Sequence, residues 1–185
     1  IDAELVDRIP IAFAKSHGVA SLEGYGLGLA RHFVNDVDPV EGARIELEEF
    51  AWRRAEIDGV EHDHTWLRTG EEVRTAAITV DATGEQVVAG FKSLTILKST
   101  GSQFAGFYAD EYTTLHETLH RVMATSFVAR WRYSTTDGVD WDAAYAAAKQ
   151  IMIREFATRH SLALQQTLWH MGKAVLEEIP TIAEI

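Results

Sequence analysis

The sequence predicts an α+β fold, a mainly antiparallel sheet with helices laid on one of its faces. Three observations lead there. Apolar residues recur with period two around residues 43–50, 73–80 and 122–133. They recur with helical period around 22–33, 141–156 and 164–179. These stretches follow one another as strand, helix, two strands, then strands and two helices, not in the regular alternation that builds a parallel sheet.

Each element has its own justification. Ser21 is placed to cap a helix whose Leu22, Tyr25, Leu29 and Phe33 share one face. Gly24, Gly26 and Gly28 each weaken that helix by up to about 1 kcal/mol, so it needs tertiary packing to hold it. From Ala43, Ile45 and Leu47 alternate with Glu46 and Glu48, and the alternation slips at Glu49-Phe50, predicting a bulge before Trp52. Ala76, Ile78 and Val80 mark a second strand, and residues 81–86, with Gly84, read as a turn. Residues 94–97 read as a short strand. Residues 122–133 form a longer one, with Met123, Phe127, Trp131 and Tyr133 on one face. Asp140 caps a helix striped by Trp141, Tyr145, Ala148, Met152 and Phe156. Ser161 is the expected cap of the last helix, striped by Leu164, Leu168, Met171, Val175 and Ile179 and ended by Pro180. The second half reads as a shortened repeat of the first, giving two units, 1–92 and 93–185.

Composition narrows the function. With 46% hydrophobic and 24% charged residues, the 185-residue chain has an ordinary globular composition. No apolar run approaches the roughly 20 residues of a membrane span, and no signal peptide is read at the start. There are no cysteines, which excludes disulfides and thiolate chemistry and fits a reducing compartment. A net charge of −11 disfavours nucleic acid, and Arg53-Arg54 and Arg130-Trp131-Arg132 are too short for a basic stripe.

Two motifs could carry chemistry. One is His116-Glu117-Thr118-Leu119-His120, an H-E-x-x-H pattern that on a helix would bind zinc through two histidines, with the glutamate as general base. Its context is poor, because Thr113-Thr114 precede it and a strand begins soon after. His62 and His64 alternate along an extended stretch, where local hydrogen bonds are expected over a weak metal site. The other motif is longer. Lys98-Ser99-Thr100-Gly101-Ser102-Gln103-Phe104-Ala105-Gly106-Phe107 is followed by Asp110-Glu111-Tyr112-Thr113-Thr114-Leu115, then Arg121, then Ala129-Arg130-Trp131-Arg132-Tyr133.

This series resembles the urate oxidases (uricases), with their KSTxSxFxGF run, DxYTTLxET, an arginine, and a strand ending near ARWRY at the same spacing. Asp58-Gly59-Val60-Glu61-His62-Asp63-His64 is similar to the family's DGxxHxH stretch. The run from Ser161 to Gly172 is similar to its SxSVQxTLYxMG helix start. The resemblance covers residues 11–185. It implies the tunnelling fold, built of tandem ββααββ units, here with the first lacking its opening strand and the second its closing strands. It also implies a homotetramer with sites shared between subunits. The implied activity is cofactor-free oxidation of urate by O2 to 5-hydroxyisourate and H2O2, in the cytoplasm of a bacterium or the peroxisome of a eukaryote.

Urate is a flat anion, so its site needs an aromatic face, a fixed cation and in-plane hydrogen-bond partners. The resemblance assigns Phe104 to stack on the ring, Arg121 to grip one edge, and the backbone of Leu164 with the side chain of Gln165 to hold the other. It carries over no catalytic residue. The family's proton-relay lysine would fall before Ile1 and its histidine after Ile185. The threonine–aspartate pair aligns, just ahead of a strand at 11–15, with Ala3 and Glu4, and the usual KNT run is replaced by Asp7-Arg8-Ile9. That departure keeps open a non-catalytic purine- or pterin-binding protein of the same fold, and the H-E-x-x-H motif keeps open a zinc hydrolase.

Overall fold

The computed structural model describes residues 3–185, with side chains from Asp7 onward. In chain order it contains α1 (Ala3–His17), α2 (Leu22–Asp36), β1 (Ala43–Ile57), β2 (Val60–Asp81) and β3 (Gly84–Lys98). These are followed by β4 (Met123–Tyr133), α3 (Trp141–Thr158), α4 (Leu164–Glu178) and β5 (Ile182–Glu184). The strands form one sheet in the order β1-β2-β3-β4-β5, and every neighbouring pair is antiparallel.

Residues 11–15, expected as a strand, belong instead to α1. A five-residue apolar run fits either element, and contacts decide. Phe13 stacks on His17 one turn later, with ring centroids 4.1 Å apart, and lies against Tyr25 and His32 of α2. Tyr25 Oη donates to the Pro10 carbonyl at 2.9 Å. Ala3 and Glu4 begin this helix, and their side chains lie outside the described part.

The cap of α2 is as expected, with Ser21 Oγ accepting from the Gly24 N–H at 3.2 Å. A glycine in this helix has a reason in the packing. A Cβ on Gly26 would stand 2.5 Å from Ile78 Cδ1 and 2.8 Å from Leu47 Cδ1, so its absence lets α2 lie close on β1 and β2.

The β1–β2 hairpin turns at Asp58 (φ 52°) and Gly59 (φ 81°), the two positive angles a type I′ turn requires. Its register shifts between Phe50 and Trp52, where the bulge was expected. The hairpin is longer than the pattern suggested. Its outer part is a two-stranded arm on which Phe50, Trp52, Trp66 and Leu67 stay exposed. Arg68 covers the Phe50 ring and Arg54 the Trp66 ring, at 4.4 and 4.6 Å from the centroids. β3 is also longer than residues 94–97, and the turn expected at 81–86 is confined to residues 82–83 between β2 and β3. Its register shifts between Phe91 and Leu94, with Ser93 at φ 62°. Residues 92 and 93, between the two units read from the sequence, lie inside this strand.

One face of the sheet is dry. Ala76, Ile78 and Val80 of β2, Val87, Ala89 and Phe91 of β3, and Phe127, Ala129 and Trp131 of β4 are buried against all but α1 of the helices. The partners include Leu27 and Ala30 of α2, Met152 and Phe156 of α3, and Met171 and Val175 of α4. The other face, with Arg44, Glu46, Glu48, Lys92 and Arg130, carries no helix and is more exposed. Alternation along the strands therefore sorts apolar from charged side chains.

Asp140 caps α3 as expected, its Oδ1 accepting from the Ala143 N–H at 3.0 Å. Ser161 does not cap α4. The cap position is Ala163, in extended conformation (φ −157°, ψ 152°), and it offers no side-chain acceptor. Ser161 is bound elsewhere, in the site described next.

Candidate functional site

The connection from β3 to β4 folds back on itself and is stitched to the entry of α4. Phe104 and Thr118 exchange two backbone hydrogen bonds, at 2.7 and 2.8 Å. Arg121 N–H donates to the Ser102 carbonyl at 3.0 Å, so the two ends of the loop run side by side. Ser102 also pairs in parallel with Ser161, through Gln103 N–H to Ser161 O (2.8 Å) and Ser161 N–H to Gly101 O (2.9 Å). Glu117 Oε1 accepts from the Gly106 N–H at 2.7 Å and pins the turn after Phe104.

This backbone brings Phe104 and Arg121 together. The guanidinium carbon of Arg121 lies 5.5 Å from the centroid of the Phe104 ring, which stacks on Phe107 at 4.6 Å. Both Phe104 and Arg121 are half-buried. Arg121 Nε donates to Ser102 Oγ at 3.4 Å, and among the described residues no carboxylate pairs with it. Most other arginines of this acidic chain are paired, among them Arg31 with Glu85, Arg132 with Glu184 and Arg154 with Glu178. A half-buried guanidinium without a counter-ion beside an aromatic face is suited to a flat anion.

Leu164 and Gln165 open α4, three and four residues beyond Ser161, which is paired to Ser102. Leu164 packs partly into the core, and the Gln165 side chain is exposed. The first N–H to bond within the helix is that of Thr167, to Ala163 O at 3.1 Å. The N–H groups before it are left over by helix geometry, and Ala163 supplies no side-chain acceptor. An uncapped helix start of this kind favours an anion through its free donors and the helix dipole.

Sequence reasoning gave Ser102 and Thr167, beneath the site, no role, and gave Ser161 that of a helix cap. Ser102, Ser161 and Thr167 are each 1% exposed. Thr167 Oγ1 donates to Ser161 Oγ at 2.7 Å, and Ser102 and Ser161 both approach Met123 Sδ, at 3.7 and 3.6 Å. As a buried cluster they were marked only by their presence in the motif runs, because hydroxyls carry no periodic signal.

The H-E-x-x-H motif does not lie on a helix. Residues 113–120 are irregular or bent, Thr118 is paired with Phe104, and Glu117 is engaged with Gly106 N–H. An i, i+4 spacing brings two histidines within reach of one metal when they lie one helical turn apart, so outside a helix His116 and His120 do not have the geometry the zinc reading needs. No cluster of three or more His, Asp or Glu residues suited to a metal occurs among the described residues. His62 makes local contacts, Nδ1 lying 3.0 Å from Thr65 Oγ1 and 3.3 Å from His64 N. Purified protein is expected to carry the same trace of zinc, by elemental analysis, with and without His116→Ala and His120→Ala. One zinc per chain that either change removes would restore the hydrolase reading.

A five-stranded antiparallel sheet with helices on one face defines an α+β protein. The uricase family model matches residues 13–79 and 87–185. The chain belongs to the uricase family. It is 47% identical over 174 residues to uricase of Arthrobacter globiformis, covering 94% of this chain and 56% of that protein. It is 34% identical over 191 residues to uricase of Danio rerio, covering all of this chain and 64% of that one. The crystal structure of the Arthrobacter globiformis uricase superposes with TM-score 0.89 at 44% identity, over 98% of this chain and 61% of that one. That of a Bacillus fastidious uricase gives 0.84 at 25% identity, over 98% and 62%. The chain thus spans 56–64% of the length of these relatives. The family model's match begins at Phe13, so the front of α1 stands outside it, while the Danio rerio alignment spans the whole chain.

Proposed function

We propose that this protein binds urate and oxidises it with molecular oxygen. Urate, O2 and water give 5-hydroxyisourate and H2O2. Two electrons leave the purine, O2 takes them up with two protons, and the oxygen of water is added to the ring. The anion itself is the reductant, so the reading calls for no metal or organic cofactor. In this reading Phe104 stacks on the ring, Arg121 grips one edge through two N–H groups, and the Leu164 N–H with the Gln165 amide holds the opposite edge. The observation that carries it is Arg121, a half-buried cation against an aromatic face with no carboxylate partner among the described residues.

The test is to mix the purified full chain with urate, following loss of its ultraviolet absorbance together with peroxide. Turnover supports the oxidase. Binding of urate without either change supports the second reading, a non-catalytic purine- or pterin-binding protein. That reading is favoured by Ala3, Glu4 and Asp7-Arg8-Ile9, where the family has a threonine–aspartate pair and a KNT run. Absence of binding would sink both.

We also propose a homo-oligomer, a tetramer with sites shared between subunits. The exposed aromatic arm of β1 and β2 supports association, because a two-stranded ribbon is marginal alone and Phe50, Trp52 and Trp66 are unburied in the single chain. Light scattering on the full chain at micromolar concentration is expected to give four times the protomer mass. A stable monomer would count against it.

A further inference from the structure

We infer that Ser102 is a positioning residue for Arg121, the buried hydroxyl that fixes which edge of the guanidinium faces a bound ring. The inference rests on the urate-site reading above. A guanidinium can present its N–H groups as a fork in two ways, through Nε with one Nη or through the two Nη groups. In this structure Nε is spent on Ser102 Oγ at 3.4 Å, which leaves the Nη pair for the ligand. The same two residues are joined a second time through the backbone, Arg121 N–H to Ser102 O at 3.0 Å. Both the root and the Nε of the arginine are therefore held by one residue.

The hydroxyl is in a place where a polar group needs a reason. Ser102 is 1% exposed, and burying a hydroxyl is unfavourable unless it is hydrogen-bonded. Its other side-chain contact is the weak acceptor Met123 Sδ at 3.7 Å, so Arg121 is the partner that satisfies its oxygen. Met123 Sδ also takes Ser161 Oγ, which in turn accepts from Thr167 Oγ1 on α4. Through this buried cluster the residue that orients the arginine is also packed against the residue that leads into Leu164 and Gln165. The two edges of the site are thereby held at a fixed spacing.

The experiment is calorimetric titration of the full chain with the non-reactive purine 8-azaxanthine, in four forms: parent, Ser102→Ala, Arg121→Lys and the double variant. Lysine has no Nε, so a residue that acts through Nε has nothing to orient in the Arg121→Lys background. Ser102→Ala is expected to weaken binding about three- to tenfold in the parent, the range of one ordinary hydrogen bond. In the Arg121→Lys background the same change is expected to have no effect, a non-additivity that a general loosening of the loop would not produce. Equal losses in both backgrounds, or no loss in the parent, would overturn the inference and leave the urate site standing. If the parent does not bind, the site reading and this inference fall together. Should Ser102→Ala not fold, Ser102→Cys is read in its place, since it keeps the shape and weakens the acceptor.

Discussion

Arg121→Ala is expected to weaken 8-azaxanthine binding at least about tenfold while leaving the protein folded. Hydrogen bonds to a charged group contribute about 1.5–3 kcal/mol, and a two-pronged contact to an anion belongs at the stronger end of that range. About 1.4 kcal/mol corresponds to a factor of ten in affinity. The structural duty that alanine would remove is one hydrogen bond. Alanine gives up the Nε bond to Ser102 Oγ, a loss of about 1 kcal/mol, but the backbone N–H bond to Ser102 survives and among the described residues no ion pair is lost. Arg121→Lys should restore little, because an ammonium cannot reproduce the planar fork or be held through Nε. Gln165→Leu should also weaken binding while α4 stays intact, since the side chain is exposed and leucine is a good helix former. Titration calorimetry beside a thermal melt reads all three. If all three variants bind like the parent and remain folded, the site is elsewhere and the resemblance speaks only to fold.

The parts of the fold legible in the sequence are those where a local rule and the tertiary environment agree. Ser21 and Asp140 cap the helices they precede, and the slip at Glu49-Phe50 is a bulge, because nothing distant competes for those groups. Ser161 shows the opposite case. Its hydroxyl and backbone are taken by Thr167, Met123 and Ser102, so a good capping residue does not cap. The outer half of β2 was missed because residues 60–68 are exposed on both faces, and a strand in water on both sides has no reason to alternate. There the Asp58-Gly59 turn was the usable signal. The first half of β3 was missed for the converse reason. Val87-Val88-Ala89-Gly90-Phe91 has no polar residue at its outward positions 88 and 90, so the period vanishes from the sequence although only one face is covered by helices. The site was legible only as a motif. Phe104 and Arg121 meet because Phe104 pairs with Thr118 and Ser102 with Arg121, contacts that leave no periodic trace.

Arg74→Met is expected to destabilise the fold by about 3–5 kcal/mol near neutral pH, the cost of removing one partner from a buried ion pair. Glu23, on α2, is fully buried. Arg74, on β2, binds it through Nη2 to Oε2 at 2.6 Å and Nε to Oε1 at 3.4 Å. The same guanidinium reaches Asp142 of α3 at 2.7 Å and lies 4.4 Å from the centroid of the Tyr145 ring. One side chain thus ties α2 and α3 to the sheet. Methionine keeps much of the stem and removes the charge, which leaves the Glu23 carboxylate buried and unpaired, while Asp142 and Glu49 remain exposed to water. Desolvation holds the Glu23 carboxyl above its ordinary 4.5 even with Arg74 present, and the arginine's charge opposes that rise. A raised folded-state pKa means that the folded protein binds the proton more readily than the unfolded chain. The stability linked to that proton is full below 4.5 and is lost as pH rises through the folded value. Without Arg74 the folded value rises further, so the deficit of Arg74→Met should be smaller at about pH 5 than at about pH 7, because lower pH favours the protonated, uncharged form of the orphaned carboxyl. Adding Glu23→Gln to Arg74→Met should likewise recover part of the loss, since a neutral amide is less costly to bury than an unpaired charge. Urea unfolding of the parent, the single variant and the double variant at both pH values, at one protein concentration, measures this. A deficit that does not change with pH, together with a double variant no more stable than Arg74→Met, would show that the arginine acts by packing on Tyr145 and not by neutralising Glu23.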